Sequence, residues 1–166
     1  LGYDMNDTDV NHLGEAKNWL LELKDNIKAF DSDSPKTFMI SKETSIGVIW
    51  NAEAALAMKQ NPNLKVVYPT EGFSVSIDNF AIPKGAKNID NAYLFIDYIL
   101  DGKVMQKIIE DYPYKNVNFE TQNYLSIDYL NNDASNISDI KFNTGSFVKN
   151  IDEKIELYDK VWAEIK

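Results

Sequence analysis

The chain has no cysteine, no arginine and a single histidine, His12. Without cysteine there are no disulfides, no thiolate metal sites and no cysteine nucleophile. One histidine leaves no second imidazole for a metal set and no easy route to a Ser-His-Asp triad. His12 lies in a polar helical stretch and reads as a plain surface residue. All 17 basic residues are lysines, so no guanidinium fork can grip a phosphate or carboxylate in bidentate fashion, which disfavours an anionic ligand. No apolar stretch approaches the roughly 20 residues of a membrane helix, and no basic-then-apolar leader opens the chain. Positive charge is also in deficit: the net charge is −9. That disfavours nucleic acid, whose phosphates need a basic surface, and suits a protein that attracts cations.

What is present is ordinary for a folded domain. The 166 residues, 44% hydrophobic and 26% charged, are enough for one domain or two small lobes. The opening Leu1-Gly2-Tyr3 reads as the interior of a longer polypeptide. Asn6, Asp7, Thr8 and Asp9 offer helix caps, and Val10, Leu13, Ala16, Leu20, Leu23 and Ile27 then recur at helical spacing. Ser34 and Pro35 predict a second helix start. Ser45 to Trp50 is β-branched and near-continuously apolar, which predicts a strand covered on both faces. Asn51 is expected to cap an Ala-rich helix, Asn61-Pro62-Asn63 ends it, and Leu64 to Tyr68 predicts the next strand. Strand, helix and strand at this spacing predict a βαβ unit with a parallel pair. Glu71-Gly72 turns the chain into an extended run from Phe73 to Ile82. Two helices follow, separated by Asp101-Gly102, with Tyr93, Phe95 and Tyr98 read as core. Short helical turns are expected between Asn116 and Thr144, and a long closing helix from Phe147 to Lys166, with Trp162 as a packing residue. The fold class is α/β.

Two residues carry the chemistry. Trp50 closes the run Ile46-Gly47-Val48-Ile49-Trp50, and Asp78 ends Val75-Ser76-Ile77-Asp78. A ring face within about 6 Å stabilises a cationic amine by about 0.5–2 kcal/mol, and a carboxylate adds a charge-assisted hydrogen bond. Ligands of open α/β sheets bind beyond the carboxyl ends of parallel strands, where Trp50 is expected to lie. A core indole and a strand-end carboxylate would account for the same two residues. Glu53 is most simply read as serving the positive end of its helix. An enzyme would need a nucleophile–base pair or a metal cluster, and neither is evident.

In order along the chain, Gly47-Val48-Ile49-Trp50-Asn51, Tyr68-Pro69-Thr70-Glu71-Gly72, Asp78-Asn79-Phe80-Ala81-Ile82-Pro83-Lys84-Gly85-Ala86-Lys87-Asn88, Phe95-Ile96-Asp97-Tyr98-Ile99-Leu100 and Tyr112-Pro113 resemble a known family. They look like the C-terminal half of a spermidine/putrescine-binding protein, the solute receptor of a polyamine ABC importer. The opening Leu1-Gly2-Tyr3 and Asp31-Ser32-Asp33-Ser34-Pro35 also fit. The resemblance implies a type II periplasmic-binding-protein-like fold with two hinged lobes, here incomplete. Residues 1–76 and 123–166 would belong to the second lobe, and residues 77–122 would cross the hinge into the first.

The resemblance assigns ligand contacts to Trp50, as an aromatic stacking along the polyamine, to Asp78, as the carboxylate holding an amine, and to Tyr112, as a phenol on the opposing wall. It departs at Ser76, where the family often has an aromatic, and at Val148, where it has an amide. Both departures imply altered specificity, so another small organic cation is the alternative ligand. The resemblance implies no cofactor and no metal. It implies an ABC permease as partner, and an extracytoplasmic location with either a lipid anchor or fusion to the permease as open options. Unpaired sheet edges in such a fragment imply partial folding or self-association.

Overall fold

Of the four cap candidates before the first helix, Asp9 is the one used: its carboxylate accepts from the N–H groups of Asn11 and His12. The computed structural model describes all residues from Leu1 to Lys166. They form two units: unit 1 is Leu1–Ser32, Tyr68–Ser76 and Asn143–Lys166, and unit 2 is Asp33–Val67 and Ile77–Phe142.

In unit 1, α1 (Val10–Leu23) runs into a 3-10 turn at Lys24–Asn26 and packs against the last helix, α8 (Ile155–Ile165). Lys17 Nζ meets Glu164 Oε2 at 2.7 Å across this pair, Ile165 is buried and the Phe30 ring stands edge-on to Trp162. Between the helices in sequence come two short strands, β1 (Ser74–Val75) and β2 (Ser146–Phe147), paired in parallel with Val75 opposite Phe147. Gly72 makes the turn into β1 at φ +109, where a Cβ would lie 3.0 Å from the Thr144 carbonyl oxygen. Only glycine suits both that dihedral and that approach.

His12 is more than a surface residue. Its ring stacks on Tyr3 with centroids 3.9 Å apart, and Nδ1 lies 2.7 Å from Asp7 Oδ2. The hydrogen bond to Asp7 raises the His12 pKa, while Asp7 is held below the usual carboxylate range, chiefly by the Asp9 N–H and then by His12. A raised histidine pKa contributes stability that is present below the unfolded value, about 6.5, and fades as pH rises through the folded value. A depressed aspartate contributes stability that is present above about 3.9 and fades as pH falls through its folded value. The stability of unit 1 is therefore expected to peak between those limits. Urea midpoints recorded across pH 3 to 9 should show the fall that begins at about pH 6.5 flattened in His12→Asn; an identical profile in the variant would remove this pair as its cause.

Unit 2 is built on α3 (Asn51–Gln60). Ala52, Ala54, Ala55 and Ala57 are buried, and Ala54 and Ala55 cluster with buried Ala134 beneath Ile49, Met58 and Val66. Small side chains let the backbones approach closely, so modest apolar area still excludes water there. The short α2 (Pro35–Ile40) packs on α3, with Ser34 at its N-cap position and Pro35 in its first turn. Next come α4 (Ile89–Leu100) and α5 (Gly102–Asp111). Asp101 caps α5, accepting from the Lys103 and Val104 N–H groups. A 3-10 turn at Glu120–Tyr124 abuts α5, and two one-turn helices follow, α6 (Ile127–Leu130) and α7 (Asp139–Phe142).

Several expectations are corrected. Ser45–Trp50 and Leu64–Tyr68 carry no ladder hydrogen bonds, so the expected parallel βαβ pair is absent; the one parallel pairing is β1 with β2. Ser45–Trp50 is not covered on both faces either, since Ile46 is 88% and Val48 98% exposed. A β-branched run needs a neighbouring strand to become a ladder, and this chain supplies none there. In Leu64–Tyr68, residues 64, 66 and 68 are half-buried while 65 and 67 are exposed, the period-2 alternation of a chain with one covered face. Asn51 does not cap α3. Trp50 occupies the cap position, and the Asn51 amide instead donates to the Ala134 carbonyl at 3.1 Å. Tyr93, Phe95 and Tyr98 lie exposed on α4 rather than in a core. The closing helix starts at Ile155, because Ser146–Phe147 pairs as a strand and Asp152, at φ 47, breaks the helical path.

Candidate functional site

The first turn of α3 aims three side chains from one helix end. Trp50, at the cap, is extended (φ −62, ψ 143), and its carbonyl accepts from the Ala54 N–H at 2.9 Å. That geometry leaves the indole 52% exposed instead of buried in a core. Asn51 turns inward to Ala134 and fixes the helix start. Glu53 lies in the first turn of α3. Its Oε2 lies 2.5 Å from Nζ of Lys36, in the first turn of α2.

Asp78 sits in the extended stretch after β1, exposed, and its carboxylate has no ion pair or side-chain hydrogen bond. An exposed carboxylate without an internal partner is open to a cation. Tyr112 ends α5, its N–H bonded to the Ile108 carbonyl at 2.8 Å, with its ring 64% exposed.

Tyr114 follows Tyr112 in the same loop. Its N–H donates to the Tyr112 carbonyl at 2.7 Å, a tight turn around Pro113. Burial raises its phenol pKa, with the Glu53 and Asp78 carboxylates adding to the rise. The loop is locked from beneath by buried Tyr129, whose hydroxyl donates to the Tyr114 carbonyl and accepts from the Asn116 N–H, each at 2.7 Å. Lys115 adds a second tie, donating to the Ile137 carbonyl at 2.8 Å. Pro113 between two tyrosines is the sequence signal for this turn.

The structure thus keeps Trp50, Asp78 and Tyr112 all within unit 2 and solvent-reachable, without a direct hydrogen bond among them. Ser76 and Val148 fall in unit 1. They come side by side, because the Val148 N–H donates to the carbonyl of Val75, next to Ser76, beyond the β1–β2 ladder. No group of three or more His, Asp or Glu side chains is arranged to hold a metal. A depression of about 390 Å³ in unit 1 is lined by residues including Tyr3, Asp7, Trp19 and Tyr158, and none of Trp50, Asp78 and Tyr112 contributes to it.

Comparison with known proteins extends over nearly the whole chain. Residues 1–134 match the family of bacterial extracellular solute-binding proteins. Spermidine/putrescine-binding periplasmic protein 1 of Haemophilus influenzae is 30% identical over 166 residues, covering all of this chain and 46% of that protein. A solved spermidine/putrescine ABC transporter protein from Listeria monocytogenes superposes with a TM-score of 0.88 at 28% identity, covering 99% of this chain and 51% of the other. The spermidine/putrescine ABC transporter substrate-binding protein PotD of Streptococcus pneumoniae, solved with calcium and HEPES, gives 0.76 at 29% identity, covering 99% and 53%. The chain spans about half the length of the relatives it matches, and its architecture is a partial periplasmic-binding-protein-like fold. By sequence and by structure, it belongs to the bacterial extracellular solute-binding proteins.

Proposed function

We propose that this chain is part of an extracytoplasmic receptor, not an enzyme, that binds polyamines such as spermidine or putrescine and delivers them to an ABC permease. The observation that carries this reading is the pairing of chemistries in unit 2: an indole presented at the α3 cap and a carboxylate with no internal partner at Asp78. Methylenes favour ring faces, and ammonium groups favour carboxylates and π faces. Tyr112 adds a third wall residue. Relatives named for spermidine and putrescine binding support the same assignment.

In the whole protein, residues 1–76 and 123–166 would form most of the second lobe, and residues 77–122 would cross the hinge into the first. Lobe closure around the amine would create the surface the permease recognises. The receptor would be held at the membrane by a lipid or by fusion to its permease. Within this chain the exposed Ile46, Val48, Val67 and Phe80 are apolar edges awaiting a neighbour. Self-association is the expected consequence in isolation; light scattering that reports a monomer at 200 μM would overturn it. Ser76 in place of an aromatic supports a second reading, a receptor of the same fold for another small organic cation.

The deciding experiment is a titration of the chain with spermidine, putrescine and choline, followed through the indole N–H resonances of its tryptophans. Movement of the Trp50 signal with the polyamines supports the first reading. Movement with choline alone supports the second, and no movement at Trp50 with any amine removes both.

A further inference from the structure

Resting on that amine-site reading, we propose that Asn51 is a positioning residue for Trp50, and that it ties the indole to the same buried brace, residues 132–137, that holds the Tyr112 loop. One shared segment then sets the ring at the α3 cap and the phenol after α5, so releasing either tie disturbs both.

Every link is a hydrogen bond within unit 2. On one side, the Asn51 amide donates to the Ala134 carbonyl at 3.1 Å. Asn51 adjoins Trp50 in sequence, so this tie holds the backbone from which the indole leaves. On the other side, Lys115 donates to the Ile137 carbonyl at 2.8 Å. The Tyr129 hydroxyl has the Ser135 carbonyl as its longer acceptor, at 3.3 Å, and joins Tyr114 and Asn116 at 2.7 Å each. The Tyr114 N–H in turn holds the Tyr112 carbonyl. Between the two sides the brace is buried: Ala134, Ser135 and Ile137 are 0%, 1% and 5% exposed. It is also bonded to itself. Asn132 Oδ1 accepts from the Ala134 N–H at 2.9 Å, and the Asn136 N–H donates to the Asn132 carbonyl at 2.8 Å. Close-packed interiors yield little and transmit strain.

Helix chemistry does not account for Asn51. Asn is an indifferent helix former, and at the first position of α3 an aspartate would better suit the positive helix end. What an aspartate lacks is an N–H for the Ala134 carbonyl. Asn51→Asp therefore separates the two roles: it keeps the shape, favours the helix and cuts the tie.

The test uses the whole chain, first without ligand. Asn51→Ala and Asn51→Asp should each lower hydrogen-exchange protection of the Asn116 amide about threefold or more, as for one cooperative unit. The aspartate variant guards against poor folding of the alanine one. Tyr129→Phe should shift the Trp50 indole N–H signal, assigned through Trp50→Phe. Putrescine is then the probe. Asn51→Ala is expected to weaken its binding about fivefold, within the worth of one neutral hydrogen bond. With a similar loss in Tyr129→Phe, the double variant should lose less than about tenfold, not the product of about 25-fold that independent sites give. Ala57→Gly lies in α3 outside the cluster around Ala134. It should lower the urea midpoint yet leave putrescine affinity within about a factor of two, which separates positioning from stability. A double variant at the product of the singles, distant signals that ignore both variants, or an Ala57→Gly affinity loss equal to that of Asn51→Ala overturns the proposal while the amine site stands. If wild type shows no Trp50 response to putrescine, the amine-site reading fails and the role of Asn51 in it fails too.

Discussion

Asp78→Asn is expected to weaken putrescine binding about tenfold, with little effect on stability. Asn has nearly the same shape and still offers a carbonyl acceptor, so the change removes charge rather than contact. A hydrogen bond to a charged group contributes about 1.5–3 kcal/mol against about 1 for a neutral one, and a difference near 1.4 kcal/mol is a factor of ten. Asp78 is exposed in this chain, which sets the expectation at the lower end of that range. In the full-length receptor, closure would strip water from the same bond and the loss should be larger. Because the carboxylate has no internal partner, its removal breaks no ion pair and should leave the urea midpoint in place. Asp97→Asn makes the same change in net charge on the exposed surface of α4 and should leave binding within a factor of two. The tenfold gap should narrow between 0.05 and 0.5 M salt, as screening predicts for an exposed pair. Equal losses in the two variants would mean that bulk negative charge, not Asp78, attracts the amine.

The parts of the molecule that local chemistry governs are legible in its sequence. Asp9 and Asp101 cap helices because a short carboxylate reaches the N–H groups two and three residues on. Trp50 and Asp78 can be singled out because few residue types suit an organic cation. What was misread depends on partners distant in sequence. The Ser45–Trp50 run has strand composition, yet its pairing belongs to whatever lies alongside it, and here nothing does. Asn51 has the chemistry of a cap, but a carbonyl 83 positions away competes for its amide and wins. Tyr93, Phe95 and Tyr98 have core composition, but α4 packs mainly on α5 and leaves all three exposed. Glu53 reads in sequence only as serving its helix end, and its ion pair with Lys36 depends on the packing of α2 on α3, which spacing alone does not show.

Tyr129→Phe is expected to cost unit 2 about 2–3 kcal/mol and to loosen the wall that carries Tyr112 and Tyr114. The phenyl ring keeps its packing, so the loss isolates one hydroxyl. That hydroxyl donates to the Tyr114 carbonyl at 2.7 Å, has the Ser135 carbonyl at 3.3 Å as a second acceptor, and accepts from the Asn116 N–H at 2.7 Å. Burial dominates its surroundings and pushes its pKa up, against the lowering effect of the Asn116 N–H. Removing the oxygen strands an N–H and at least one carbonyl, each costing about 1–3 kcal/mol when water cannot replace the partner. Tyr114 is exposed and Asn116 half-buried, which places the sum in the lower half of that range. Against a typical total of about 5–15 kcal/mol, a shift of this size should be plain in the urea midpoint. Hydrogen exchange should localise it, with the Asn116 amide losing protection by about thirtyfold or more while the α1 amides of unit 1 keep theirs. Amine binding should weaken as well, because Tyr112 and Tyr114 are aimed by the loop that this hydroxyl pins. A variant with an unchanged midpoint and a still-protected Asn116 amide would mean that water satisfies the loop, and that Tyr129 contributes its ring alone.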